Sequence, residues 1–308
     1  MFFRKSSLAA ATFALLFSPA QSGAIEPFKS ATLKVPGATL YYETRGSGPT
    51  LLMIPGGALD AGIFADLSRQ LTDHFTVVTY DPRGNSRSIL DEKPADQQLD
   101  IHGDDAARLL AAVGGGPAYV FGSSGGAQIG LNLTARHPEL VRVLVAHEPP
   151  CNMLLADPSK ALADDRLVYD TYRREGAEAA MRAFMSISGM AGGAGQADAP
   201  PPVPPAPEAA EAFARINGNL DYFFGHGLLP LSLYVPEIGT LRSGKPRIVV
   251  GIGEQSAGQP TSLTGMALAE KLGSKPVIFP GDHLGYVPST DAFAQTLLRA
   301  LDKNQQRD

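Results

Sequence analysis

The sequence AYVFGSSGGAQ, residues 118–128, contains the turn that decides the fold. An apolar run that predicts a strand leads into five small residues, and a helical pattern follows them. Ser124 has Gly122 two residues before it and Gly126 two residues after it, whereas Ser123 has Phe121 two residues before it. Glycines in these positions permit a strained strand-to-helix turn that pushes the serine hydroxyl clear of the sheet. We therefore predict that Ser124 is a nucleophile.

Strand-like and helical segments alternate on both sides of this turn. The predicted strands are residues 32–35, 39–44, 50–54, 75–80, 118–121, 141–146, 247–252 and 276–279, and helical patterns cover 63–71, 101–113, 128–136, 263–272 and 292–301. The first two strands flank Pro36-Gly37, which is typical of an antiparallel hairpin. The remaining alternation predicts an α/β fold, with a mostly parallel eight-stranded sheet flanked by helices.

The segment 149–243, here called the cap segment, interrupts this alternation and divides the predicted core into residues 25–148 and 244–308. Helical patterns cover 159–174, 177–187 and 208–224, and a Gly-rich run followed by a Pro-rich run between 189 and 207 predicts an exposed, mobile loop. A helical insertion over the carboxyl ends of parallel strands would cover the site. Its large apolar side chains suggest an apolar substrate group: Met181, Phe184, Met185, Phe213, Tyr222, Phe223 and Phe224.

A serine hydroxyl needs a base to remove its proton, and backbone N–H groups to hold the oxyanion that forms. Of the six histidines, His283 alone follows the last predicted strand and precedes the last helix, which is the expected place for the base. Gly125, directly after the nucleophile, supplies one oxyanion N–H. The second comes from the Pro-Gly-Gly-Ala turn after strand 50–54, where Gly57 is the better candidate and Ala58 its neighbouring alternative.

With these features the chain resembles the α/β-hydrolase superfamily over essentially the whole of residues 30–303. It is most similar to the branch of small bacterial esterases, cofactor-free haloperoxidases, haloalkane dehalogenases and epoxide hydrolases. The sequence YDPRGNSRS, residues 80–88, resembles the Asp-x-Arg-Gly-x-Gly-x-Ser loop of that branch, with Ser86 where glycine is usual. The resemblance implies that Asp81 is structural. It also implies acyl transfer, because the dehalogenase and epoxide hydrolase relatives carry an aspartate nucleophile instead of a serine.

The acid of the expected Ser-acid-His triad is ambiguous. In the family it usually lies in a Gly-x-x-Asp turn after the second-last strand, but that turn here has Ser256 in place of the aspartate. Glu254 is nearby, two residues early. Some relatives place the acid at the end of the strand after the nucleophile's helix, where this chain has Glu148 followed by two prolines. We favour Glu148 and keep Glu254 as the alternative.

The amino-terminal residues 1–24 read as a signal peptide of bacterial type, which predicts a periplasmic or secreted protein. Arg4 and Lys5 precede an apolar stretch, and small residues at 22–24 offer a cleavage site. Cleavage after Ala20 and an uncleaved anchor are the alternatives. The single cysteine, Cys151, excludes an intramolecular disulfide and a thiolate metal cluster.

The formal net charge of −5 argues against nucleic acid or an anionic membrane as a main partner. We expect a serine hydrolase that cleaves a small-molecule carboxylic ester, including a lactone or a bulky natural-product ester, with no cofactor, no metal and no stable membrane association after signal cleavage. The alternatives are a cofactor-free perhydrolase or C–C hydrolase using the same triad, and a non-catalytic ligand-binding protein. The sequence leaves the oligomeric state open.

Overall fold

The computed structural model describes residues 28–114, 116–189, 207–243 and 245–302. The predicted signal peptide and most of the predicted mobile loop lie outside these ranges. The strands are β1 (Lys29–Val35), β2 (Ala38–Arg45), β3 (Thr50–Ile54), β4 (Thr76–Tyr80), β5 (Ile89–Leu90), β6 (Ala118–Ser123), β7 (Val141–His147), β8 (Arg247–Gly253) and β9 (Val277–Phe279).

The helices are α1 (Ala65–Arg69), α2 (Leu99–Val113), α3 (Gly125–Arg136), α4 (Ser159–Glu175), α5 (Ala177–Ile187), α6 (Pro207–Gly218), α7 (Leu220–Tyr222), α8 (Leu228–Ser232), α9 (Ile238–Leu241), α10 (Pro260–Leu272) and α11 (Thr290–Leu301). Short 3₁₀ turns occupy Ala61–Phe64, Pro138–Leu140, Asn152–Leu154 and Glu254–Ser256, and a single π turn occupies Phe223–Gly227. No helix within the described ranges is long and apolar enough to cross a membrane.

The strands form one sheet in the order β1-β2-β4-β3-β6-β7-β8-β9, which confirms the predicted α/β architecture. β1 and β2 form the predicted antiparallel hairpin, β2 also pairs antiparallel with β4, and the strands from β4 to β9 along this path run parallel. The path contains the eight predicted strands. A ninth strand, β5, pairs with β2 outside the path and is too short to leave a periodic signal in the sequence.

Both faces of the sheet are covered, because alternate side chains of the central strands enter two separate cores. Leu52 of β3 and Val120 of β6 pack on the face covered by α2, α3 and the cap segment. Their neighbours Met53 and Phe121 pack on the opposite face, against α1 and α11. Full burial of each such aliphatic or aromatic side chain contributes roughly 1.5–3 kcal/mol relative to exposure. The two cores therefore hold the central strands, and the residues that follow them, in a fixed register.

Two predicted helices are divided in the structure. The segment 63–71 begins as a 3₁₀ turn, because the Asp60 carboxylate accepts the N–H of Gly62 and fixes the start of the turn. The segment 208–224 ends its first helix at Gly218, and α7 follows after Asn219. The side chain of Asn219 forms hydrogen bonds with Ser86 and Ala58 of the core. These distant contacts fix the chain at this break, and local helical propensity does not predict them.

The carboxyl ends of β3, β6, β7, β8 and β9 meet at one edge of the sheet, as they must in a parallel arrangement. Ligands of open α/β sheets bind at this edge. The predicted oxyanion turn follows β3, Ser124 follows β6, Glu148 follows β7, and His283 follows β9. The topology thus brings all the predicted site residues to the same edge.

Candidate active site

Ser124 lies at the junction between β6 and α3 with a left-handed backbone, φ 56° and ψ −127°. Non-glycine residues pay roughly 1–3 kcal/mol for such conformations, which persist where the surroundings impose them. Neighbouring backbone atoms leave no room for a side chain at the glycines around Ser124. A Cβ on Gly122 would lie 2.4 Å from the carbonyl oxygen of Gly126, and one on Gly126 would lie 2.1 Å from that of Ile54. The turn therefore depends on direct backbone packing.

His283 follows β9 in a tight loop and is almost completely buried. Its Nδ1 lies 2.7 Å from Oε2 of Glu148, although the two residues are 135 positions apart in the sequence. The loop that carries it is tied to the turn after β8, where the N–H of Gln255 donates to the carbonyl of Gly281 at 2.9 Å. With Nδ1 engaged by the carboxylate, Nε2 is the ring nitrogen left for chemistry.

Glu148 is fully buried at the end of β7, with a positive φ of 45°. Its backbone N–H donates to the carbonyl of Gly251, and its Oε1 accepts the N–H of Gly253 at 2.8 Å. Burial alone would raise the pKa of this carboxyl, but the hydrogen bond and charge of His283, the neighbouring His147 and the Gly253 N–H lower the pKa to about 2. The side chain is therefore a carboxylate at neutral pH, and it accepts the His283 Nδ1–H.

Neither Glu254, the alternative acid, nor Ser256, which replaces the expected aspartate, makes this contact. The side chain of Glu254 is exposed in the 3₁₀ turn after β8. Ser256, in the position where the resemblance leads one to expect aspartate, is buried, and its Oγ has no hydrogen-bond partner among the described residues. The structure thus brings Glu148 to His283 and leaves Glu254 at the surface.

The predicted oxyanion donors lie against each other. The backbone nitrogen of Gly57 would be 3.4 Å from a Cβ on Gly125, so the two turns are in contact. Within the described residues, the N–H groups of Gly57 and Gly125 have no hydrogen-bond acceptor. The N–H of Ala58, the neighbouring candidate, has none either. Gly57, Ala58 and Gly125 all line one cavity, and unpaired N–H groups beside a cavity can receive a negatively charged oxygen.

Ser124, His283 and Gly57 line one cavity of about 820 Å³. No hydrogen bond joins Ser124 to His283 within the described residues, and such contacts often tighten only when a substrate is bound. The cap segment covers the cavity with apolar side chains, namely Met181, Phe184, Met185, Ile187, Ile216, Phe223, Leu228 and Leu231. Tyr222 and Phe224, two of the apolar cap side chains that suggested an apolar substrate group, do not line the cavity, and the side chain of Phe213 lies outside the described part.

Asp81 serves the loop in which it lies. Its carboxylate accepts from the Arg87 guanidinium at 2.8 and 2.9 Å and from the N–H of Ala61 at 2.9 Å. The neighbouring Arg83 makes a bidentate pair with the buried Asp105. The carboxylates of Asp81 and Asp105 are therefore both paired with arginines of the loop of residues 80–88. Within the described ranges, no group of three or more His, Cys, Asp or Glu side chains is placed to hold a metal ion.

Sequence reasoning gave no role to His147, which is buried directly behind His283. The two rings lie 6.4 Å apart, and aromatic rings of Phe279 and Phe293 contact His147 on other sides. Burial lowers the pKa of His147 to about 3, so the ring is neutral. Its carbonyl oxygen accepts the N–H of Ser124 at 2.9 Å, which ties the Ser124 turn to β7.

Comparison with known proteins assigns the family. A model described as the alpha/beta hydrolase fold matches residues 49–195. An uncharacterised hydrolase of Bacillus subtilis (strain 168), YraK, is 34% identical over 283 residues, which cover 90% of this chain and 97% of the relative. The chain therefore belongs to the α/β-hydrolase family and is a hydrolase.

Other relatives carry named activities. A zearalenone hydrolase of Cladophialophora bantiana is 36% identical over 130 residues, 41% of this chain and 48% of that protein. Among solved structures, an esterase from Thermogutta terrifontis has a TM-score of 0.68 at 19% identity, covering 89% of this chain and 99% of its own. An enol-lactonase from Burkholderia xenovorans LB400 has a TM-score of 0.66 at 19% identity, covering 88% and 99%. These structural likenesses establish a shared fold.

The low pKa of Glu148 predicts a pH-dependent contribution to stability. A carboxyl whose pKa is lower in the folded chain stabilises the fold above its unfolded value, ordinarily 4.5, and this contribution is lost as the pH falls toward about 2. In urea unfolding, the wild type should lose more free energy of unfolding between about pH 7 and about pH 3 than Glu148→Gln. The exposed Glu254→Gln serves as control and should follow the wild type. Equal pH dependence of wild type and Glu148→Gln would contradict the prediction.

Proposed function

We propose that the protein is a serine hydrolase that cleaves carboxylic esters through an acyl-enzyme on Ser124. His283 is the general base, Glu148 orients it, and the N–H groups of Gly57 and Gly125 hold the oxyanion. The observation that carries the proposal is the buried 2.7 Å contact between His283 Nδ1 and Glu148 Oε2, beside the cavity that Ser124 lines. A carboxylate, an imidazole and a strained serine at one strand edge are the parts that acyl transfer by the serine-triad mechanism requires.

The chemistry proceeds in two halves. His283 Nε2 takes the hydroxyl proton as Ser124 Oγ attacks the ester carbonyl carbon, and the carbonyl oxygen becomes an oxyanion between the backbone N–H donors. Collapse of this intermediate expels the alcohol, which receives the proton from His283. Water then loses a proton to His283 and attacks the acyl carbon, and a second collapse returns Ser124 and releases the acid. Glu148 keeps the imidazole in the Nδ1–H tautomer and stabilises its cation.

The cavity supports an apolar ester as the substrate class. Its walls from the cap segment are mostly apolar, and its volume of about 820 Å³ lies within the range of sites for small organic molecules. The activities of similar proteins, a zearalenone hydrolase, an esterase and an enol-lactonase, support hydrolysis of an ester or lactone. We propose that the cap segment, residues 149–243, determines which acyl or alcohol group is accepted.

Replacement of the nucleophile tests the proposal directly. Ser124→Ala should lower kcat for a p-nitrophenyl ester by about 10⁴-fold or more, because no other hydroxyl in the turn can attack the carbonyl. Ser123→Ala is the matched control, since Ser123 is the adjacent serine of the same turn and is buried. It should retain measurable turnover and, unlike Ser124→Ala, label with a fluorophosphonate. Wild-type turnover by Ser124→Ala would rule out the acyl-enzyme.

The choice of acid is tested by two glutamate substitutions. Glu148→Gln should lower kcat by roughly 10²–10⁴-fold, because the amide can neither fix the tautomer nor stabilise the His283 cation. Glu254→Gln should leave kcat within about two-fold of the wild type, because surface substitutions seldom disturb a distant site. Activity lost in Glu254→Gln and kept in Glu148→Gln would assign the acid to Glu254.

We also propose that residues 1–24 are a signal peptide and that the protein acts in the periplasm or outside the cell. The support is the sequence itself, in which positively charged residues are followed by an apolar stretch and then by small residues at the cleavage position. Intact-mass measurement of the protein recovered from a bacterial periplasmic fraction should give a chain beginning at Ile25, or at Gln21 if cleavage follows Ala20. A full-length chain found in the cytoplasm alone would contradict the proposal.

A further inference from the structure

We propose that Asn219, in the cap segment, is a positioning residue for the oxyanion hole, and that it orients the Gly57 N–H through a chain of hydrogen-bonded peptide groups. The inference rests on the proposed function, in which the Gly57 N–H receives the oxyanion. Asn219 lies in the break between α6 and α7 and is almost completely buried.

The chain of contacts runs through two peptide planes. Asn219 Nδ2 donates to the carbonyl of Ala58 at 2.8 Å. The other end of that peptide group is the N–H of Leu59, which donates to the carbonyl of Gly56 at 3.0 Å. The peptide group that contains the Gly56 carbonyl also contains the Gly57 N–H. Because each peptide group is planar, a donor fixed at one end fixes the direction of the N–H at the other. Chained hydrogen bonds also polarise one another, which strengthens the terminal donor.

Ser86 holds the Asn219 amide in one orientation. The Ser86 N–H donates to Asn219 Oδ1 at 2.6 Å, and Asn219 Nδ2 donates to Ser86 Oγ at 2.9 Å. The amide oxygen is thereby directed to an N–H, so that the NH₂ group faces Ala58. The two groups that hold the Asn219 amide, the N–H and the hydroxyl of Ser86, belong to the core, whereas Asn219 belongs to the cap segment.

The strained backbone of Ser86 indicates that the hydroxyl of this residue has a structural role. Ser86 has a φ of 49°, a conformation that a glycine would adopt without strain. Its hydroxyl donates to Oδ2 of the buried Asp60 at 2.9 Å, and the same oxygen accepts from Arg215 Nε of α6 at 2.8 Å. Ser86 therefore connects Asn219 to Asp60, whose contact with Arg215 is a second link between the cap segment and the turn after β3.

The opposite side of the turn is held by the core alone. Asn85 Nδ2 donates to the carbonyls of Gly57 and Leu59, both at 3.0 Å. Three consecutive carbonyls, those of residues 57, 58 and 59, thus accept from two side-chain amides, of which one belongs to the core and one to the cap segment. The consequence is that correct seating of the cap segment completes the geometry of the oxyanion donor.

Asn219→Ala tests the proposal, with Asn132→Ala as the matched control. Asn132 is also a buried asparagine, whose Nδ2 donates to Asp100, and it does not line the cavity. In Asn219→Ala we expect kcat to fall by about 10- to 100-fold, less than the 10²–10³-fold cost of deleting an oxyanion donor outright, with KM within about three-fold. Affinity for a trifluoromethyl ketone, which forms an oxyanion on the serine, should fall in parallel with kcat. Asn132→Ala should change neither, even where it lowers the urea midpoint as much.

Ser86→Gly provides a second variant that removes the hydroxyl while relieving the backbone strain. We expect its urea midpoint to lie at or below that of the wild type, because the hydrogen bonds to Asp60 and Asn219 are lost while the backbone strain is relieved. Its kcat should fall by roughly three- to ten-fold, since one anchor of Asn219 is lost. Unchanged kcat and ketone affinity in both Asn219→Ala and Ser86→Gly would overturn the inference, as would equal losses in Asn132→Ala. Failure of the proposed function would be distinct, since Ser124→Ala would then retain full activity.

Discussion

The buried hydrogen bond between His283 and Glu148 is the interaction on which the rest of the site depends. Burying an isolated carboxylate costs several kcal/mol, and the cost is offset only when hydrogen bonds and an opposite charge surround the group. Here the imidazole takes one oxygen and the Gly253 N–H takes the other. Three strand ends must be in register for this to occur: β7 carries the glutamate, β8 the N–H donor, and β9 the loop of the histidine.

A second constraint acts at the neighbouring strand ends. The Ser124 turn packs closely on the end of β3 and the turn after it, because an added methyl group on Gly126 would meet the Ile54 carbonyl and one on Gly56 would meet the Ser123 carbonyl. The proposed nucleophile and oxyanion donors are therefore parts of one rigid backbone arrangement. The cap segment contacts this arrangement from above, through Asn219 and Arg215, as well as lining the cavity. In the proposed function, substrate selection and the alignment of the oxyanion donors thus depend on the same segment.

Much of the fold could be predicted from the sequence, because the strands and helices of the core have strong local periodicity. The sequence also singled out Ser124 and His283 by motif and position. The acid could only be narrowed to two glutamates, because the choice depends on which strand end faces His283, and that is a property of the assembled sheet. The break at Asn219 and the strand β5 left no signal, since each is determined by contacts with residues far away in the sequence. Ser86 was visible as a departure from glycine, but its bonds to Asp60 and Asn219 exist only after folding.

The tautomer of the His283 ring follows most directly from its contact with Glu148. In ¹H–¹⁵N spectra of histidine-labelled protein with the ring neutral, we expect the Nδ1–H tautomer of His283, with a strongly downfield N–H proton. That proton signal should be lost or shifted in Glu148→Gln and unchanged in Glu254→Gln, because only the Glu148 carboxylate accepts it. An Nε2–H tautomer in the wild type, or a signal that depends on Glu254, would show that Glu148 does not orient His283.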